Sequence, residues 1–417
     1  MRLRLGSAID RLRGRATPLD DACARIAATN EQTLEWQCDV TRVAAPTGDE
    51  GARARWMTER FREIGWTDIQ RDAAGNVIVR RHGDGGEAAG DGSPPRQAVW
   101  CCAHLDTVFT EREPVVTRQG ARLSGPGIGD NGRGLAALLA LADALQHVEL
   151  PTTHDIILAG TVGEEGLGDL RGMKALMEGA VPRPVAVIAI DGAGDDRIVN
   201  AALGSTRWRI TFTGAGGHSW ADFGIANPLH AATAVSAALQ AVLLPREPRT
   251  TLTVARIGGG ESINSIPREC WLEVDLRSLG ATVLADLERT MRDTVARIER
   301  SENGRRASNT MPIVSRIDLL GDRPCGATPD DAPLVRLAQQ ATRAIGLAPR
   351  LAAGSTDASI PIAMGIPAIA IGAGGRGGGT HTPGEWYDDT DGVRGLQRAL
   401  RIVVGAAGVR SREARRR

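Results

Sequence analysis

Residues 97–106 read Gln97-Ala98-Val99-Trp100-Cys101-Cys102-Ala103-His104-Leu105-Asp106. After Gln97 the run 98–102 is too uniformly apolar for a strand with one wet face, so it predicts a strand covered on both sides, the kind that parallel sheets are built from. The polar pair His104 and Asp106 follows at its end. Strands of the same character are expected at 76–80, 155–161, 185–190 and 368–371. Helical periodicity lies between them: at 33–44, stopping before Pro46, at 135–146, and in the amphipathic stretch ending at Ile64. Thr47 and Glu50 before that stretch have capping-box spacing, which predicts its N-terminus. Alternating strand and helix signals make the fold class α/β.

The middle of the chain follows a different rhythm. Residues 206–213 alternate like a half-buried strand, 228–244 are helical, 251–257 and 270–277 are strands, 284–300 are helical and 312–317 are a strand. This β-α-β-β-α-β order predicts an α+β unit of ferredoxin-like type, inserted into the α/β domain. The expected domains are therefore 1–203 with 320–417, and 204–319 as the insertion, two units being a reasonable partition of 417 residues. Residues 82–95, rich in Gly, Ala, Asp and Pro, read as a surface insertion, and the terminal SREARRR as a solvated tail. No internal repeat is evident.

Composition excludes several function classes. Fifty basic and 50 acidic residues cancel, giving no long-range attraction for nucleic acid or an anionic membrane. Lys174 is the sole lysine, a bias from which no function is drawn. The six cysteines form no CxxC pair and a chain this large needs no disulfide framework, so a reducing compartment is expected. The N-terminal MRLRLGSAIDRLRGRA has no apolar signal core, and no window offers about 18 uninterrupted apolar residues. These observations predict a cytoplasmic protein.

Chemistry-bearing residues recur at strand ends, where α/β sheets gather their ligand sites. His104 and Asp106 are two apart, so in an extended chain the carboxylate can orient the imidazole. Asp130 lies in GPGIGDNGRG before a helix; Glu164 and Glu165 form GEEG directly after the 155–161 strand; Asp191 closes the 185–190 strand; His381 opens HTPGEW. Singly, each is more often an ordinary polar surface residue. Together they are hard to dismiss, because two carboxylates between glycines after a buried strand are costly without a partner. Residues 127–132 also satisfy GxGxxG, the signature of a dinucleotide-binding protein, but no strong strand precedes them and no acidic residue closes the next strand.

Jointly, HLDTV, the Gly-Asp of 129–130, GEEG, the strand-closing Asp191 and HTPGE resemble the dizinc metallopeptidase family that contains peptidase T (tripeptide aminopeptidase), glutamate carboxypeptidase, acetylornithine deacetylase and succinyl-diaminopimelate desuccinylase. In character the chain is nearest the peptidase T-like branch. The resemblance spans nearly the whole sequence and implies a mixed-sheet zinc-peptidase catalytic domain with an inserted lid or dimerisation domain, hence a homodimer. It implies that Asp130 bridges two Zn2+ ions, with His104 and Asp191 completing one site and Glu165 and His381 the other; nitrogen and oxygen donors also admit Co2+ or Mn2+. Glu164 becomes the general base that takes a proton from the metal-bridging water, and Asp106 holds His104 in its tautomer. GAGGHSW at 214–220 resembles the family's lid histidine motif, nominating His218 for the oxyanion; NSIP and DLR nominate Asn264 and Arg277 as substrate contacts, against a strand-end ion pair for Arg277. Gly354, in GSTD, and the glycine run 372–379 are expected to shape the pocket floor. In that family the strand-closing ligand tends to be Asp in the aminopeptidase and dipeptidase branch, so the resemblance implies that Asp191 leans toward substrates with a free amino terminus, short peptides cleaved by an aminopeptidase or dipeptidase. The alternative is an N-acyl-amino-acid deacylase with the same centre.

Overall fold

The computed structural model describes residues 17–85, 96–180 and 182–409. The N-terminal 16 residues, most of the 82–95 insertion and the SREARRR tail lie outside them. The chain divides into two compact units, one formed by Met1–Ala202 with Ala327–Arg417 and the other by Leu203–Gly326.

The first unit is built on a nine-stranded mixed sheet. In spatial order its strands are Ile69–Arg71, Val77–Arg81, Asp155–Thr161, Gln97–His104, Arg183–Ile190, Ala368–Ile371, Arg197–Ala202 and Gly326–Ala327, with Arg350–Gly354 parallel to Arg197–Ala202. The four central strands, Asp155–Thr161 to Ala368–Ile371, are mutually parallel, so their C-terminal ends share one edge. Strand Gln97–His104 explains the arrangement: Val99, Cys101 and Ala103 enter one core, while Ala98, Trp100 and Cys102 enter the other. Side chains that alternate between two dry faces need helices on both, which gives a three-layer stack. Helices Gly51–Ile64, Gly134–His147 and Gly392–Ala407 supply the first core, and Arg171–Glu178 and Ser359–Ala363 the second. Helix Gly134–His147 is buried nearly all round, as its unbroken run of Ala and Leu requires.

The second unit has a four-stranded antiparallel sheet in the order Thr250–Gly259, Glu269–Ser278, Gly204–Thr213, Val314–Arg323. With helices Pro228–Gln240 and Ala281–Arg305, this is the ferredoxin-like β-α-β-β-α-β order. Burial alternates strictly along Glu269–Ser278, and Cys270, Leu272, Val274 and Leu276 face the helices.

The capping box expected at Thr47 and Glu50 does not form. Helix Gly51–Ile64 starts at Glu50 with no side-chain cap. Thr47 Oγ1 instead donates to Asp106 Oδ2 at 2.9 Å, and the Glu50 carboxylate accepts the Gly48 and Gly163 amides and pairs with Arg171 at 2.6 Å. Both side chains are drawn to the sheet edge because buried carboxylates and amides there require partners more than a helix end does. The six cysteines are free, and among the described residues no helix is long and apolar enough to cross a membrane.

Candidate metal centre

His104 is the last residue of its strand, in register with Thr161; Glu164 and Glu165 follow Thr161, and Asp191 follows Ile190. The parallel strands thus deliver four side chains to one edge. Asp130 arrives on the turn before helix Gly134–His147, and His381 on the loop after Arg376–Gly378. Asn131 fastens the turn to the sheet, donating from Nδ2 to Ile190 O at 2.8 Å and accepting the Gly192 amide at 3.2 Å.

The side chains meet as two sets of donors that share Asp130. His104, Asp130 and Asp191 form one, and Asp130, Glu165 and His381 the other, each with its three ligand atoms within 4.8 Å of one another. Asp130 Oδ1 lies 2.9 Å from His104 Nε2 and its Oδ2 3.2 Å from His381 Nε2; Glu165 Oε1 lies 2.8 Å from the same His381 nitrogen. Glu164 joins His104 and Glu165 in a third close group. Glu164 and Glu165 are 6% and 7% exposed.

Four carboxylates crowd two imidazoles here, and the protonation equilibria record it. Burial, reinforced by Asp130 and Glu165, pushes the Asp191 carboxyl up to about 7. The hydrogen bond to Asp130, opposed by desolvation and assisted by Glu165, raises His381 to about 9. Burial would raise Asp130 as well, but its bonds to His104 and His381 hold it well below the usual carboxylate range. Such a surplus of buried negative charge is what a divalent cation offsets, and a set of imidazole and carboxylate donors without thiolate suits Zn2+, Mn2+ or Co2+. The donor sets fit two metal ions.

His104 is held from behind by Asp106, though by its main chain: Nδ1 meets the Asp106 carbonyl at 3.0 Å, the carboxylate Oδ1 lying 3.6 Å away. The carboxylate is occupied by the Glu164 and Glu165 amides, both at 2.9 Å, and by Thr47. Burial alone would raise its pKa; His104 and these amides bring it down to about 2. Asp106 therefore ties the histidine to the glutamate turn. Glu50 grips the same turn at Gly163, and buried Arg53 donates to the Leu105 carbonyl at 2.7 Å. The sequence marks Thr47 and Glu50 only as a capping pair and does not mark Arg53 or Asn131 at all, because the partners that all four hold here are distant in the chain.

The GxGxxG turn is an anion cradle whose anion is the protein's own. The amides of Gly127, Gly129 and Asp130 all donate to the Glu385 carboxylate, at 3.0, 2.8 and 2.8 Å. They are not available to a pyrophosphate, which removes the dinucleotide reading.

The remaining nominated residues lie elsewhere. In the second unit, His218 sits on a two-residue strand opposite Ser265, and the Ser219 amide donates to the Asn264 carbonyl at 2.9 Å, so His218 and Asn264 are neighbours. The Trp220 and Ala221 amides point at His218 Nδ1, at 3.2 and 3.4 Å, leaving the neutral ring's proton on exposed Nε2. Arg277, half-buried, pairs through Nε with Asp275 at 2.8 Å. Gly354 ends a strand of the first unit, where a Cβ would come within 3.2 Å of Val199; its smallness serves strand packing. In the 372–379 run, a Cβ at Gly372 would lie 2.4 Å from the Ala193 carbonyl, so that stretch also packs main chain on main chain.

Known structures share this architecture. An aminopeptidase PepT from Bacillus cereus superposes with a TM-score of 0.70 at 20% identity, covering 90% of this chain and 98% of that one. A tripeptidase from Staphylococcus aureus gives 0.73 at 20% identity over the same shares of the two chains. A dinuclear metal-binding peptidase from Bacillus subtilis gives 0.65 at 15% identity, covering 91% and 98%. At these identities the likeness shows the fold. No curated protein sequence matches the chain. The sequence profile described as peptidase family M20/M25/M40 does match, over residues 100–404, a span that holds all five clustered donors and the glutamate pair. The chain belongs to that peptidase family.

Proposed function

We propose that the protein is a two-metal aminopeptidase or dipeptidase acting on short peptides. One observation carries the reading: two imidazole–carboxylate donor sets share Asp130, with the further buried carboxylate of Glu164 beside them. In a peptidase family this is the equipment for metal-assisted amide hydrolysis. We assign His104 and Asp191 to one metal, Glu165 and His381 to the other, and Asp130 to both, with Zn2+ the expected ion. When bound, the metals would polarise the scissile carbonyl and lower the pKa of water.

The chain's own residues do the rest. Glu164 takes the proton of the attacking water and returns it to the departing amine. Asp106 fixes the ring of His104 through its carbonyl and the glutamate turn through its carboxylate, so the base and a ligand keep their spacing. His218, with its proton on Nε2, is a suitable donor to a developing oxyanion, and Asn264 and Arg277 are assigned to substrate groups. The second unit is assigned as a lid and dimerisation domain, expected to give a particle of twice the 44.0 kDa chain mass in solution.

An Asp rather than a Glu at 191, as in the aminopeptidase and dipeptidase branch that the sequence resembles, supports substrates with a free amino terminus over acylated ones. A panel of di- and tripeptides beside N-acetyl and N-succinyl amino acids, assayed on metal-loaded protein, tests this. Turnover confined to peptides supports the reading, whereas turnover confined to the acylated amino acids makes the protein a deacylase using the same centre.

A further inference from the structure

Glu385 is only 1% exposed, and its carboxylate is spent entirely on main chain. Oε1 accepts from both Gly129 and Asp130 at 2.8 Å, and Oε2 from Gly127 at 3.0 Å. Three bonds to an ionised acceptor are among the stronger restraints a loop can receive. The approach is close enough that a Cβ at Gly129 would stand 3.2 Å from Oε1, so the carboxylate would have to give by a few tenths of an ångström. The same segment is zipped further to the turn: Gly125 donates to the Glu385 carbonyl at 3.0 Å, and Trp386–Asp388 pairs antiparallel with Arg122–Ser124. Glu385 lies four residues after His381, and its amide donates to Thr382. One side chain therefore links the loop of one donor to the turn of the donor that both sets share.

We propose that Glu385 is the positioning residue of the bridging carboxylate. By gripping the amide of Asp130 itself and two amides just before it, Glu385 sets Asp130 where each oxygen faces a different histidine, and so couples occupation of the two metal positions. The inference rests on the two-metal reading above and adds to it a determinant outside the donor sets. A Gln at 385 keeps the shape but puts an NH2 group against an amide N–H, losing at least one bond and the charge. An Asp is one methylene too short to reach all three amides.

The test titrates metal-stripped protein with Co2+, followed by calorimetry, by visible absorption and by the magnetic coupling between the two ions. Glu385→Gln and Glu385→Asp are expected to weaken both Co2+ sites together by about 10–100-fold, the range found for residues that support ligands, and to reduce the coupling. His381→Ala, the contrast, weakens chiefly one site. Gly129→Ala, which pushes on the clamp without removing it, moves both sites the same way by less, and decides the matter should the Glu385 variants not fold. Folded variants with lowered Tm but wild-type affinities and coupling would overturn the proposal, leaving Glu385 a structural residue. Wild-type protein that takes up fewer than two Co2+ ions would instead overturn the two-metal reading, a distinct result.

Discussion

Glu164 and Glu165 are chain neighbours with different work. Glu165 is extended, with φ −80° and ψ 147°, and its carboxylate reaches His381; Glu164 belongs with His104 and Glu165 but with neither set containing Asp130. That division makes a sharp prediction. Glu164→Gln should keep its metals, because no assigned donor is lost, yet kcat should fall by about 10²–10⁴, the usual worth of a general base. Metal content and kcat measured on one preparation check it, and near-normal turnover would remove Glu164 as the base. The five assigned donors were legible in the sequence because each sits at a strand end or in a glycine-rich turn. Glu385 was not, although its motif was noticed, because the amides it holds lie about 255 residues earlier and only the fold joins them.

At the scale of elements, strands that are dry on both faces were easy to read, and 155–161 and 368–371 match the observed bounds. Elements of two or three residues were not, including the sheet of Thr117–Gln119, Arg122–Ser124, Trp386–Asp388 and Arg376–Gly378 that carries the Glu385 segment; so few residues show no periodicity. Capping-box spacing misled at Thr47, while a real box closes helix Pro18–Ala28 between Thr17 and Asp20. Asp155 shows how a strand start is anchored. Its side chain, 2% exposed, accepts from Gly83 at 2.8 Å and pairs with Arg80 and Arg96 at 2.5 and 3.0 Å. Burial tends to raise its pKa, but the Gly83 amide and the two arginines hold it below the ordinary value. A depressed carboxylate stabilises the fold above its unfolded pKa of about 3.9 and loses that contribution as pH falls through the lower folded value. Asp155→Asn should therefore cost about 1–3 kcal/mol at pH 7, with the gap closing toward pH 2. Denaturant titrations across that range check it, and a gap independent of pH would refute the ionic account.

For the whole molecule, the insertion of one α+β unit into an α/β unit was readable because periodicity changes from dry strands to alternating ones near residue 204 and back near 333. The hydrogen-bond network behind the donors was not, since it joins residues of the first unit from Thr47 to Glu385. That network fixes where the donors stand, and the donors predict the chemistry. The most direct test strips the protein with chelator, then adds Zn2+ in steps while following hydrolysis of a tripeptide. Turnover should vanish in the stripped protein and return with metal, levelling off near two ions per chain. Undiminished hydrolysis by metal-free protein would contradict the account at its centre.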